Sequence, residues 1–211
     1  MYIPKGFEVE DLATLHGFME SHGFATLVSA PGGAPFATHL PLLIDRERGQ
    51  RGTIVGHVAR ANPHGKLFDG RHPALAIFTG PHAYVSPSWY ASTDKVPTWL
   101  YTAVHAYGTP VASEDPAAVR ALLDRMVQLY EGGFAAPWRL ASQREVYLEG
   151  MQRAIVAFEM PIERIEGKFK LNQTKSEADR RGTAAGLEAT GDASSREVAE
   201  LMRALEPLKR A

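Results

Sequence analysis

Phe24-Ala-Thr-Leu-Val-Ser-Ala30, Pro31-Gly-Gly-Ala-Pro35 and Phe36-Ala-Thr-His-Leu-Pro-Leu-Leu-Ile-Asp45 form the stretch that decides the fold class. Two apolar runs flank a connector whose glycines permit positive φ and whose prolines end pairing, which predicts an antiparallel hairpin. In the second run Leu40, Leu42 and Ile44 share one face, so His39 and Pro41 point the other way. Upstream, Leu12, Leu15 and Met19 recur at helical spacing, predicting a helix over Glu10 to Ser21 that ends at His22-Gly23. Downstream, Thr53 to Arg60 reads as a third strand stopped by Asn62-Pro63, and Pro63 to Phe68 as a short helical turn. Leu75 to Thr79 reads as a fourth strand, and Gly80 to Tyr90 as an aromatic-rich loop. Trp99 to Val111 reads as a fifth strand, with Trp99, Tyr101, His105 and Tyr107 on one face and Leu100, Thr102, Val104 and Ala106 on the other.

The second half adds helices. Asp115-Pro116 supplies a cap and a first-turn proline before Val119, Leu122, Leu123, Met126, Val127 and Tyr130, a stripe ended by Gly132-Gly133. Arg153 to Ile162 is strand-like, and 163–170 continues it as a polar extended segment. Thr174-x-x-Glu177 and Ser194-x-x-Glu197 match capping boxes. Residues 181–195, rich in Gly, Ala and Thr, predict a mobile linker, and 196–211 a terminal amphipathic helix with Val198, Leu201, Met202 and Leu205. Short antiparallel strands with helices confined to connections and ends predict a mainly β class with flanking helices, a closed or split β-barrel over residues 1–180. A doubly wound parallel sheet would need a helix after nearly every strand.

Composition removes whole classes of chemistry. The chain has 211 residues, 45% of them hydrophobic, and can bury a substantial core. With no cysteine, disulfides, Cys-ligated zinc, iron–sulfur clusters and thiol nucleophiles are excluded. The N-terminus lacks the basic-then-apolar order of a signal peptide, and no run approaches the ~18 apolar residues of a membrane span, so a cytoplasmic location is expected. A net charge of −1 gives no global attraction to nucleic acid. The basic run Lys168, Lys170, Lys175, Arg180 and Arg181 is interleaved with Glu166, Glu177 and Asp179 and reads as a solvated face, and no helix pair carries a DNA-reading signature. Gly-x-Gly-x-x-Gly, the phosphate loop, Gly-x-Ser-x-Gly and His-Glu-x-x-His are all absent, and the scattered histidines predict no metal site.

What remains is a flat cofactor on a barrel surface. Gly80-Pro-His-Ala-Tyr-Val-Ser-Pro-Ser-Trp-Tyr90, followed by Lys95-Val-Pro-Thr-Trp-Leu-Tyr101, sets aromatic rings beside small hydroxyls, which suits a flat, partly polar ligand. Trp89, Trp99 and Tyr101 are candidates for ring contacts. His39, Arg60, Asn62 and the lysines of 168–175 are candidates for phosphate or pyrimidine contacts.

At these residues the chain resembles a known family. Thr38-His-Leu-Pro-Leu42, Gly56-His-Val-Ala-Arg-Ala-Asn-Pro63, the Gly80 to Tyr90 segment, Val96-Pro-Thr-Trp99 and Glu166-Gly-Lys-Phe-Lys-Leu-Asn-Gln173 look like the motifs of the PaiB family, the FMN-binding negative transcriptional regulators. The resemblance implies a flavin-type split barrel related to pyridoxamine-phosphate-oxidase-like proteins, a homodimer, and FMN held between its subunits. By resemblance, His39, Leu40 and Pro41 would line the isoalloxazine edge. His57, Val58, Ala59, Arg60 and Asn62 would reach the ribityl-phosphate, with Arg60 as the main anion partner. Ser86, Trp89, Trp99 and Tyr101 would close the site, and Lys170 and Gln173 would add late-strand contacts. Leu100 stands where the family motif has Asn, and Asn172 and Thr174 where it has Ser and Asn. Repression is the implied output, with direct DNA binding left open. A flavin-dependent oxidoreductase and a haem-binding or haem-degrading split barrel stand as alternatives.

Overall fold

The computed structural model describes residues 1–205. Its secondary structure is mainly antiparallel sheet with five α-helices, which matches the class expected, a split barrel with flanking helices. The chain forms two compact units. One holds Met19–Phe78 and Ala106–Ile165; the other holds Met1–Phe18, Thr79–His105 and the residues from Glu166 onward.

In the unit built on Met19–Phe78, β2 (Phe24–Ser29), β3 (Phe36–Asp45), β4 (Thr53–Ala59), β7 (Val111–Ser113) and β8 (Ile155–Pro161) join the start of β5 (Ala74–Val85) in the order β5-β2-β3-β4-β8-β7. The expected hairpin is present: β2 and β3 pair from Ser29↔Phe36 to Phe24↔Pro41, around a turn in which Gly32 has φ 69° and Gly33 φ 95°. The β3–β4 ladder, by contrast, runs only from Asp45↔Thr53 to Leu42↔Gly56. Pro41 has no N–H with which to extend it. The 3-10 turn Pro63–Leu67 packs beside both strands there, tied to Thr38 by Asn62 and His64.

The inner face carries the core. Leu27, Leu40, Leu42, Ile54, Val58, Phe158 and Met160 are buried, each contributing roughly 1.5–3 kcal/mol by removal from water. A β-carbon on Gly56 would stand 2.7 Å from Leu42 Cδ2 and 3.3 Å from the Phe158 ring, so glycine makes room for both. On the opposite face Leu43, Val55 and Ala157 lie beneath Val119, Leu122 and Met126 of α2 (Pro116–Glu131). The Asp115 carboxylate accepts the Ala117 N–H at 3.0 Å, the cap expected there. Helix α3 (Glu145–Arg153) was not anticipated: its cap position is Arg144, which offers no side-chain acceptor, and only Leu148 is buried.

In the other unit the sheet order is β1-β9-β6-β5, with β1 (Glu8–Val9) pairing β9 (Arg164–Lys170) at Glu8↔Lys168. β9 is a strand of its own rather than a continuation of β8, because Ile162 and Glu163 turn the chain, donating to Gly52 O and Tyr107 O. α1 (Leu12–Ser21) opens from Asp11, whose carboxylate accepts the Thr14 N–H at 2.8 Å. The segment Gly80–Val85, expected as loop, is strand: β5 runs to Val85 with Pro81, Ala83 and Val85 buried and His82 and Tyr84 exposed. Pro81 is tolerated because β2 pairs with β5 only over Ala74 to Ile77. Gly80 is required there, since a β-carbon would stand 2.7 Å from the Phe18 ring. β6 (Thr98–Gly108) alternates as expected, with Leu100 buried and Trp99 exposed, but it ends before Val111, which begins β7.

The linker expected over 181–195 is instead the body of α4 (Glu177–Ala189) and the start of α5 (Ala193–Ala204). Both caps differ from the motif reading. Ser176, not Thr174, caps α4 by accepting the Asp179 N–H, and Asp192, not Ser194, caps α5 by accepting the Ser195 N–H. Ser194 Oγ is engaged elsewhere, donating to His82 O and accepting His82 N–H. Of the terminal helix expected over 196–211, residues 206–211 lie outside the described residues.

Candidate functional site

The candidate residues fall on a different face in each unit. On β2, β3 and β5 the register puts Thr26, His39 and Ile77 in one row and Val28, Ala37 and Leu75 in the next, all pointing away from the core. The same face continues through Pro41 and His57, because Leu43 pairs with Val55 and side chains alternate along each strand. α2 covers the Leu43–Val55–Ala157 end. Beyond it the face lies open, with Phe24 72% exposed and His39 also exposed. His39 Nδ1 is 2.9 Å from Thr26 Oγ1, which holds the ring against the sheet. His57, paired with Ala157 at the edge of the helix-covered part, has a buried Nδ1 with no hydrogen-bond partner, and burial lowers its pKa. Leu40 and Val58 point inward and are core residues, so only their main chains can meet a ligand.

Arg60 follows β4. Its Nε donates to Arg153 O at 2.6 Å and its Nη2 to Ile155 O at 2.7 Å, which fixes the guanidinium and leaves Nη1 uncommitted. It lines a cleft of 650 Å³ with Pro116, Gln152, Arg153 and Ile155. Asn62 is committed internally: Oδ1 accepts His64 N–H at 3.0 Å and Nδ2 donates to Thr38 Oγ1 at 3.1 Å. His64, which the sequence reading passed over, is fully buried, with Nδ1 2.9 Å from Thr38 Oγ1 and Nε2 3.0 Å from Ser29 Oγ. No local pattern could have found it, because its partners come from two other strands.

In the other unit the exposed side of β5 and β6 is aromatic. Trp99 is 55% exposed, with Tyr84 edge-on at 6.0 Å and His82 at 6.3 Å. Lys168 Nζ lies 5.1 Å from the Tyr101 ring, and Lys170 Nζ donates to Thr98 Oγ1 at 2.6 Å, with burial lowering the Lys170 pKa. Ser86 Oγ accepts Ser88 N–H and forms a local turn. Trp89 is seated on α4, where β-carbons on Gly186 and Gly182 would collide with its indole ring and its carbonyl. Gln173 is internal as well, its Oε1 accepting Leu171 N–H and its Nε2 donating to Phe169 O. Leu100 lies in the core, so its departure from the family motif removes nothing from the Trp99–Tyr101 face. Asn172 has φ 60°, a conformation Asn tolerates well.

These residues fit a flavin. An open sheet face with an orphaned imidazole nitrogen suits the hydrogen-bonding edge of a fused ring. Exposed tryptophan and tyrosine beside lysines suit a flat anion, and Arg60 Nη1 is a fixed donor for phosphate.

Comparison with known proteins agrees. Residues 1–164 match the family model described as "Putative FMN-binding domain". The Bacillus subtilis protein named "Protease synthase and sporulation protein PAI 2" is 36% identical over 205 residues, covering 96% of each chain. Among solved structures, a flavocytochrome from Azotobacter vinelandii superposes with TM-score 0.63 at 16% identity, covering 83% of this chain and 75% of its own. An FAD and haem binding protein from Mycobacterium smegmatis superposes with TM-score 0.59 at 19% identity, covering 77% and 73%. With the family model spanning most of its length and a full-length relative above one-third identity, the chain belongs to the PaiB-type FMN-binding domain family.

Proposed function

We propose that this protein binds FMN as a homodimer and acts as a negative regulator of transcription. The observation that carries the flavin part is the buried, unpartnered Nδ1 of His57 on an open sheet face beside His39 and Pro41. A buried polar atom without a partner costs about 1–3 kcal/mol. A flavin carbonyl or ring nitrogen at that face would recover it. Arg60 Nη1, in the same unit, would hold the phosphate; the Trp99–Tyr101 face with Lys170, in the other unit, is a second candidate surface for a flat anion. The bound group supplies reversible electron transfer and visible absorbance. The chain's own residues would orient it and exclude water from one face, with Thr26 holding the His39 ring in place.

Support for the dimer comes from the same open face, where Phe24, Val28, Leu75 and Ile77 give the β2–β5 surface an apolar character that a second copy would cover. Support for regulation is the family resemblance, together with a relative whose name refers to protease synthase and sporulation. Titration of the purified protein with FMN, followed by absorbance and flavin fluorescence, tests the cofactor. Saturable binding with one flavin per subunit supports it, whereas a Soret band on haem addition with no flavin binding overturns it. A sequence-selective, salt-sensitive shift of promoter DNA would support regulation. NAD(P)H-dependent turnover without any such shift would replace it with an oxidoreductase.

A further inference from the structure

The cleft beside Arg60 is larger than the single phosphate of FMN requires. It measures 650 Å³, within the ~300–1,000 Å³ common for sites that enclose a whole small molecule. It also opens off the face that carries His57. Ala157, which pairs with His57, and Ile155, which pairs with Ala59, both line it, and all of its lining residues belong to one compact unit.

The charges in the cleft are balanced and separated. Two guanidiniums, Arg60 and Arg153, meet two carboxylates, Glu114 and Glu149, so the cleft has no general pull on a bare anion. Glu149 and Arg153 face each other across one turn of α3 at 3.8 Å, with both side chains exposed, and largely offset one another. Arg60 and Glu114 remain. Arg60 is anchored to the α3–β8 side by Arg153 O and Ile155 O, which leaves Nη1 to donate. Glu114 is exposed on the segment joining β7 to α2, and its carboxylate can only accept. A ligand that fits both carries negative charge at one end and hydroxyl groups further along. Pro116 and Ile155 add apolar lining suited to a ring, and Gln152 adds an amide that both donates and accepts.

We propose that this cleft takes the adenosine half of flavin adenine dinucleotide. The diphosphate accepts from Arg60 Nη1, a ribose hydroxyl donates to Glu114, and the adenine lies against Pro116 and Ile155. The inference rests on the flavin reading given above and extends its ligand from the mononucleotide to the dinucleotide.

Isothermal titrations of the full chain with FMN and with the dinucleotide, run side by side, test this. The dinucleotide is expected to bind at least tenfold more tightly than FMN. Glu114→Gln is expected to weaken the dinucleotide about fivefold and FMN less than twofold. Glu114→Trp fills the cleft from the segment that does not anchor Arg60, and is expected to abolish the preference for the dinucleotide. ADP, which carries the adenosine and diphosphate without the isoalloxazine, is expected to raise the melting temperature more than pyrophosphate does at matched concentration. FMN binding with the dinucleotide no tighter, a preference that survives Glu114→Trp, or equal shifts from ADP and pyrophosphate would each overturn this inference and leave the flavin reading standing. Binding of neither flavin would overturn both.

Discussion

The 3-10 turn Pro63–Leu67 buries one histidine outright and the outer face of β4 half-buries another, on opposite terms. His64 has both ring nitrogens engaged, with Thr38 and Ser29, and its ring meets Phe36 edge-on at 5.2 Å and lies 5.6 Å from Phe68. His57 shares the desolvation but not the satisfaction, for its Nδ1 has no partner. A polar group fully paired inside a core holds the fold together, since removing it strands its partners. One left unpaired at the margin of an open face is poised for something that arrives later. His64 is therefore a residue of the fold, whereas His57 is the one proposed for the site, although only seven positions separate them.

The largest expected effect sharpens the first side of that contrast. His64→Ala should destabilise by about 3 kcal/mol, because it opens a cavity and orphans the Ser29 and Thr38 hydroxyls. Urea unfolding measures it, and a loss under 1 kcal/mol would mean that the network is dispensable. Next, Gly56→Ala should destabilise by roughly 1–3 kcal/mol by overpacking against Leu42 and Phe158, with flavin affinity falling only through lost fold.

His57→Leu is expected to leave stability within about 1 kcal/mol of the parent, since an unsatisfied polar atom is exchanged for an apolar side chain. It should also weaken FMN binding about tenfold, or roughly 1.4 kcal/mol. Equal loss of stability in the His57 and His64 variants would break the comparison. Acid sharpens it again, because both histidines have pKa values lowered by burial. The unfolded chain takes up their protons first, so stability should fall as pH drops below the ordinary histidine value of about 6.5. His57→Leu should flatten part of that slope.

The smallest effect concerns a third buried polar group. The Ser92 hydroxyl and amide, with the Ser176 hydroxyl, hold the Asp179 pKa down to about 2. Its contribution is present above the ordinary aspartate range and lost as pH falls toward 2. Asp179→Asn should remove that acid-side loss, read as protease sensitivity of the 86–97 loop between pH 4 and pH 2.

How much of this was legible depended on whether the signal was local. The β2–β3 hairpin and α2 were readable because glycine, proline and a capping aspartate act within a few residues. Gly80–Val85 was misread because Gly80 and Pro81 look like breakers. Gly80 answers instead to Phe18, far away in sequence, and Pro81 lies where β2 no longer pairs. Both α4 and α5 had a rival acceptor two residues from the true cap, and sequence alone does not rank Ser176 over Thr174 or Asp192 over Ser194. For the site, the motif segments named the candidate residues but not their surroundings. Which members face outward, as His39 and His57 do, and which are taken up internally, as Asn62 and Gln173 are, depends on partners from other elements.

β4 draws its second neighbour from late in the chain. Its partner on one side, β3, precedes it closely, but β8 pairs from Thr53↔Pro161 to Ala59↔Ile155, about a hundred residues downstream. Local hairpins can form early, whereas this ladder must wait for the closure of a long loop. During that wait β4 presents Ile54, Val55 and Val58 on an unpaired edge, exposed to association between nascent chains. During synthesis, the interval before β8 emerges is when this protein is most vulnerable to aggregation.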